Sequence, residues 1–213
     1  MAETTAEGGQ KRRPAPLRLL VTVVRWAGLL CVPGGVLWAL SPLGVQISEM
    51  QFKTPNVFWK LFPSAPLLLI IGLIGLHVRI SGRSGRLEKI AFFAALLGLL
   101  LVVVGDVGEF WLGLDNVFIM TAPAYRSFRL GLLVLAAGTM LFGVATARDE
   151  TLPVWGALPF AIGGLCGLIA FVTDLGTFGA MLWIFFGVGW AWLGVALLVD
   201  GVIGFWRSRR SKP

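Results

Sequence analysis

Charged residues fall in clusters along the chain, and between the clusters the sequence runs apolar for long stretches, such as the sixteen uncharged residues 90–105. An α-helix needs about 20 residues to cross roughly 30 Å of hydrocarbon. On that measure the pattern predicts six spans: Leu17 to Leu40, Ala65 to Ile80, Leu87 to Val107, Phe128 to Ala147, Val154 to Val172 and Phe178 to Val199. The second is short, since sixteen residues rise only about 24 Å, and it requires local thinning or help from its flanking arginines. Membrane strands would alternate in short segments, whereas these runs are continuous. The expected fold is therefore all-α and polytopic.

Three segments lie outside the spans. Residues 1–16 are polar, small and proline-containing without periodicity, the signature of disorder. The basic tail 207–213 is similar, which leaves 17–206 as one membrane domain. The loop 41–64 is the long connection. Within it Thr54 and Pro55 form a cap-and-first-turn pair that predicts a short interfacial helix carrying Val57, Phe58, Trp59, Leu61 and Phe62. The first span resembles a secretory leader in its basic flank, but it is longer than the 7–15 residues of a leader core and reads as a retained helix.

Composition agrees with a bilayer as the solvent: 57% of residues are hydrophobic and 14% charged, where a soluble domain carries about a quarter charged. Charge then orients the chain. With both termini cytoplasmic, Lys53, Lys60, Arg126 and Arg129 are the only Lys or Arg of the total 18 on the outer side. That asymmetry is what the positive-inside rule rewards, and it places the protein in the plasma (inner) membrane. The net charge of +7 reports contact with anionic headgroups on the inner face through Arg18, Arg25, Arg207, Arg209 and Arg210, rather than affinity for nucleic acid. Trp38, Trp59, Trp111, Trp155 and Trp206 fall near span ends, where indoles prefer to sit, while Trp26, Trp183, Trp190 and Trp192 lie deeper.

The chain also repeats itself. Residues 90–110 overlay 158–178 at an offset of 68, with Phe92, Leu97, Leu100, Val104, Asp106, Gly108 and Phe110 each recurring. Leu67, Leu73 and Gly75 recur at the same offset. A duplicated two-helix hairpin explains both, and its copies run parallel, as in some transporters.

Few positions carry chemistry. Asp106 and Glu109, three apart, share one helix face. Two readings follow: the pair marks where the helix leaves the membrane, with Gly108 ending it and Asp106 in water, or the pair holds a cation or proton inside the membrane. Asp174 recurs in the repeat while Thr177 replaces Glu109, which favours the exit marker; Arg126 and Arg129 are plausible countercharges. Asp200 pairs most simply with the basic tail, and Arg25 snorkels. His77 is the only histidine, with no companion for a zinc or haem set, so no metal or cofactor is expected. Cys31 and Cys166 act as small apolar side chains in mid-span.

Small residues mark close helix contacts: Gly163 and Gly167 form a GxxxG, and Thr139, Gly143 and Ala147 form a ridge, serving this chain's own helices or a partner's. Pro33, Gly34 and Gly35 predict a kink. The stripe Trp183, Phe186, Trp190 suits lipid contact or packing. No motif for nucleotide, phosphate or nucleophilic catalysis occurs; "GRSGR" lacks the strand-then-helix context of a phosphate loop. The expectation is a noncatalytic structural, accessory or sensing component, with a small transporter or channel-like protein using an outer carboxylate vestibule as the alternative. Orientation is directly testable: a membrane-impermeant maleimide applied to sealed cells leaves Ser84→Cys and Ser211→Cys unlabelled and tags them once the membrane is opened. Labelling of either in sealed cells reverses the topology.

Overall fold

A computed structural model describes residues 15–50, 56–80, 85–112, 123–148, 152–173 and 177–210. The described residues are helical apart from short turns: α1 (Ala15–Met50), α2 (Asn56–Leu61), α3 (Ser64–Ile80), α4 (Arg86–Asp106) with a π-helical turn (Val107–Trp111), α5 (Pro123–Arg148), α6 (Val154–Thr173) and α7 (Thr177–Arg210). Residues 1–14, expected to be disordered, lie outside the described residues.

Five helices contain windows long and apolar enough to cross a membrane: Trp26–Ile47, Arg86–Trp111, Pro123–Arg148, Val154–Thr173 and Phe178–Val199. The helix α3 is apolar but has only 17 residues. These helices are hydrophobic on both faces. On α6, Gly156, Phe160, Gly163, Gly167 and Ala170 are buried, while Leu158, Ile162, Leu165, Ile169 and Val172 form the exposed stripe. A helix apolar all round belongs in a lipid solvent, because nothing on its outer face gains from water.

The long helices form a closed ring in chain order: α1 packs on α3, α3 on α4, α4 on α5, α5 on α6, α6 on α7, and α7 returns to α1. The seam between α3 and α4 is the slightest. We call the end of the ring that carries α2 the upper end.

The seams are set by glycine. A Cβ at Gly131 would lie 2.6 Å from the Val102 backbone nitrogen, and one at Gly105 or Gly138 would strike the backbone nitrogen of Phe128 or Ala95. Gly98 meets Leu135 in the same way. These contacts step in antiparallel register, with Gly98 and Gly105 on α4 and Gly131 and Gly138 on α5, each pair seven residues apart. The same spacing recurs between α1 and α7, where Gly28 faces Gly194 and Gly35 faces Gly187; a Cβ at Gly35 would lie 2.5 Å from the Gly187 oxygen. On α6, Gly156 meets Ala196 and Gly163 meets Gly189. A seven-residue repeat keeps one seam facing its partner along the helix, as in a left-handed coil. In lipid such contact is the main source of cohesion, since apolar side chains gain nothing there by leaving water.

Two expectations change. The first helix does not stop at Leu40: it runs on through Pro42 to Met50, so residues 41–50 are helix rather than loop. Pro42 has no N–H for the Trp38 carbonyl, and the neighbouring Ser41 hydroxyl donates to the Leu37 carbonyl at 2.9 Å. Trp38, expected at an interface, is consequently mid-helix and only 1% exposed. The short helix expected in this connection is present as α2, although Thr54 and Pro55 lie outside the described residues. Phe62 is not part of its exposed face but is buried in the core. In the aromatic stripe Phe186 and Trp190 are fully buried, while Trp26 and Trp192 face outward from the ring.

Pro159 in α6 illustrates how a backbone break is repaired. Proline has no N–H for the carbonyl four residues back, which is that of Trp155. The indole of Trp192 on α7 donates to that carbonyl at 2.8 Å. The seams predict that Gly35→Ala lowers unfolding stability in a detergent titration by about 1–3 kcal/mol, because backbone rather than a flexible side chain must move. Gly179→Ala is the matched control: its Cβ would stand 3.7 Å from the Ala170 oxygen, so no loss is expected.

Candidate functional site

The inner face of α4 reads Glu88, Phe92, Ala95, Leu99, Val102, Asp106, all at 5% exposure or less, and Glu109 continues it at 6%. An apolar column is thus bounded by acid at both ends. Glu88 was not singled out from sequence, yet its phase against Phe92, Ala95 and Leu99 places it on the buried stripe.

At the upper end the helix does not terminate at Gly108. The Val107 N–H is shared between the carbonyls of Val103 and Val104, and the chain then widens into the π-turn, closed by Leu112 N–H to the Val107 carbonyl at 3.0 Å. Such turns insert a residue into a helix and recur at functional sites. Here Asp106, the last residue of α4, and Glu109 in the turn are buried, while Trp111 points out, 62% exposed. The picture of Asp106 as a solvated exit marker is therefore corrected: its exposure is 0%, and neither Oδ1 nor Oδ2 has a hydrogen-bond partner. The physical reason is Gly105, whose bare backbone lets α5 close against α4 beside Asp106, with the Ala124 oxygen and Phe128 nitrogen in contact.

The proposed countercharges are engaged elsewhere or face out. Arg129 lies 5.2 Å from the Phe171 ring centre and 6.0 Å from that of Tyr125, a cation–π arrangement, and Arg126 is exposed. Asp174 lies outside the described residues. So do the side chains of Arg18, Arg25, Arg207, Arg209 and Arg210, whose backbones are helical in α1 and α7.

Above the site sits α2. The Trp111 indole donates to the Lys60 carbonyl at 3.2 Å, and the Phe58 ring fills the notch that Gly44 leaves in α1. Phe62 follows, with its ring 4.8 Å from Trp38 on α1 and 6.1 Å from Phe128 on α5. Those two helices are not neighbours in the ring, so Phe62 reaches across its mouth. Below, ring contacts continue from Trp38 to Phe186 (5.0 Å), Phe186 to Trp190 (6.4 Å), Trp190 to Phe160 (4.8 Å) and Phe160 to Phe142 (6.3 Å). This aromatic spine fills the interior.

The remaining residues fall into the frame. A Cβ at Gly143 would stand 2.8 Å from Ala161 on α6, Gly163 approaches Gly189 and the Phe185 oxygen on α7, and Gly167 abuts Ala136, Trp183 and Phe186. The hydroxyl of Thr139 is buried without a hydrogen-bond partner, as is the Trp190 indole nitrogen. His77 stacks on Phe92 at 3.9 Å and 16°. Cys31 and Cys166 are free thiols, the former packed against Gly72. Among the described residues no three His, Cys, Asp or Glu side chains gather as a metal set.

The fold and site together define a helical membrane protein in which buried acidic groups stand at both ends of the inner face of α4. Comparison with protein families, with curated proteins and with solved structures finds no match to this chain. The α2 anchor is testable by hydrogen exchange. Trp111→Phe keeps the ring but loses the 3.2 Å bond to Lys60, and amides 56–62 are expected to exchange a few-fold faster, the effect of losing about 0.5–1.5 kcal/mol.

Proposed function

We propose that this chain is a noncatalytic, multi-pass protein of the plasma membrane that senses a small cation or proton through its outer carboxylates. In this reading α3 is the sixth span. Its 17 residues rise roughly 26 Å, and it closes the ring between α1 and α4 with Leu69, Leu73 and Leu76 inward and Leu67, Ile71 and Ile74 outward. Six crossings return the C-terminus to the side of the N-terminus, so the basic clusters share the cytoplasmic side and the upper end is outer.

The duplication gains support from element limits. The end of α5 at Arg148 and the start of α6 at Val154 each follow the end of α3 at Ile80 and the start of α4 at Arg86 by 68 residues. The second helices also bury equivalent positions: Phe92 with Phe160, Ala95 with Gly163, Leu99 with Gly167, Val102 with Ala170. The first helices share less, because α3 has only a slight seam with α4 where α5 packs tightly on both neighbours. In the sequence repeat Asp174 corresponds to Asp106.

One observation carries the functional reading: Asp106 has no exposed surface and no hydrogen-bond donor. An ionised carboxylate in such surroundings costs several kcal/mol, which a bound cation or proton offsets. Below it the α4 face is apolar from Val102 to Phe92, and the aromatic spine fills the ring. An open channel does not suit that interior. A transporter that rearranges its helices is the second reading, favoured by the closure of Phe62 and α2 over the site. Proteoliposome ion and proton flux separates the two. The sensing reading expects wild type and Asp106→Asn both at the level of empty vesicles; wild-type flux that Asp106→Asn abolishes establishes the transporter.

A further inference from the structure

We infer that the species bound at the outer end is a proton, carried on Asp106 beside Glu109 and reached from outside beneath a cap made of α2 and Phe62. The inference rests on the reading of this end as a cation or proton site and names its ligand and its route of entry.

The ligand follows from the donor set. Calcium takes six to eight oxygens and magnesium a near-ideal octahedron that keeps several waters, so either needs oxygens beyond one pair of carboxylates, and Asp106 has no exposed surface at which water would supply them. Among the described residues no third carboxylate, histidine or thiol joins Asp106 and Glu109. A proton needs only one acceptor oxygen. Protonated, Asp106 carries no charge and becomes an O–H donor, and the adjacent Glu109 carboxylate, which acts on it electrostatically, is an acceptor. The step is a simple proton transfer: an O–H bond of a hydronium ion breaks as one forms on a carboxylate oxygen, and a water molecule is left behind.

Among the described residues, no cation is hydrogen-bonded to Asp106. Facing this end, α5 presents Tyr125, Arg126 and Arg129, of which Arg129 is engaged by aromatic rings and Arg126 is exposed. The helix α2 presents Lys60, which is exposed, and the upper half of α3 has no ionisable side chain. Glu88 and Lys89 stand at the far end of α4, Glu88 being eighteen residues or roughly 27 Å from Asp106.

The route follows from packing. Downward, Val102, Leu99, Ala95 and Phe92 offer a proton no oxygen to hop to. Upward, the obstacle is Phe62, which spans from Trp38 to Phe128, with α2 held by the Trp111 bond and by Phe58 in the Gly44 notch. A six-residue helix fixed at two points is the easiest part of this wall to lift.

Infrared difference spectroscopy of the full chain in lipid nanodiscs tests both parts. Wild type is expected to show a protonated-carboxyl stretch that moves with carbon-13 aspartate and disappears in Asp106→Asn. The isotope shift needs no variant and so stands even if Asp106→Asn misfolds. Phe62→Ala is expected to speed deuterium exchange of that band about tenfold. A wild type without an aspartic-acid band, or a band untouched by Asp106→Asn in a folded protein, overturns the proton. So does a band that sodium or calcium removes at constant pH, which assigns the site to a metal ion. Unchanged exchange in Phe62→Ala overturns the cap. These outcomes are separate from flux: transport with the band present ends the sensing reading alone, and no band with no flux ends the proton alone.

Discussion

Backbone contact between antiparallel helices is the interaction on which the rest of this protein depends. Gly98 and Gly105 on α4 meet Leu135 and Phe128 on α5, Gly131 and Gly138 answer in reverse, and Gly28, Gly35, Gly187 and Gly194 do the same for α1 and α7. In water, leucine at these places would supply a hydrophobic seam. In lipid it would supply none, because the surrounding acyl chains are as apolar as leucine. Cohesion must then come from dispersion and weak Cα–H to carbonyl contacts, both of which fall away steeply with distance. Glycine at every seventh residue brings the backbones close without bending the helices apart.

The interior and the site follow from those walls. Helices drawn together at their seams turn their larger side chains either outward or to the ring centre, and the centre receives Trp38, Phe186, Trp190, Phe160 and Phe142. The same glycine that joins α4 to α5 at Gly105 removes the space through which water would reach Asp106. Its burial is a consequence of packing one residue away. The π-turn keeps the helix going for another turn, so Glu109 is buried with it.

Much of the architecture was legible in the residues. Lengths and composition of the apolar runs located five of the long helices, and Thr54 with Pro55 pointed to α2. What the pattern misplaced has a physical cause in each case. The first span reads as ending at Leu40, yet the helix runs on to Met50, since a membrane helix tolerates a proline such as Pro42. Gly108 reads as a C-cap, yet the chain passes it in a π-turn. Trp38 reads as an interfacial indole and is a core residue. The small-residue ridges at Thr139 and Gly163 pointed to contact, but the stronger signal was glycine repeating at seven, visible in the sequence once it is sought.

Sequence alone determined that the chain is helical, because no other local structure satisfies its backbone over such apolar lengths, and it marked Asp106, Glu109 and Asp174 as unusual charges. The face of α4 that is turned inward was decided only by tertiary structure. Both faces of that helix are oily, and hydropathy does not distinguish a side chain against lipid from one against Leu135 or Phe128. The difference between Asp106 in water and Asp106 sealed from it therefore rests on how closely a neighbouring backbone approaches, a distance set by partners far away along the chain.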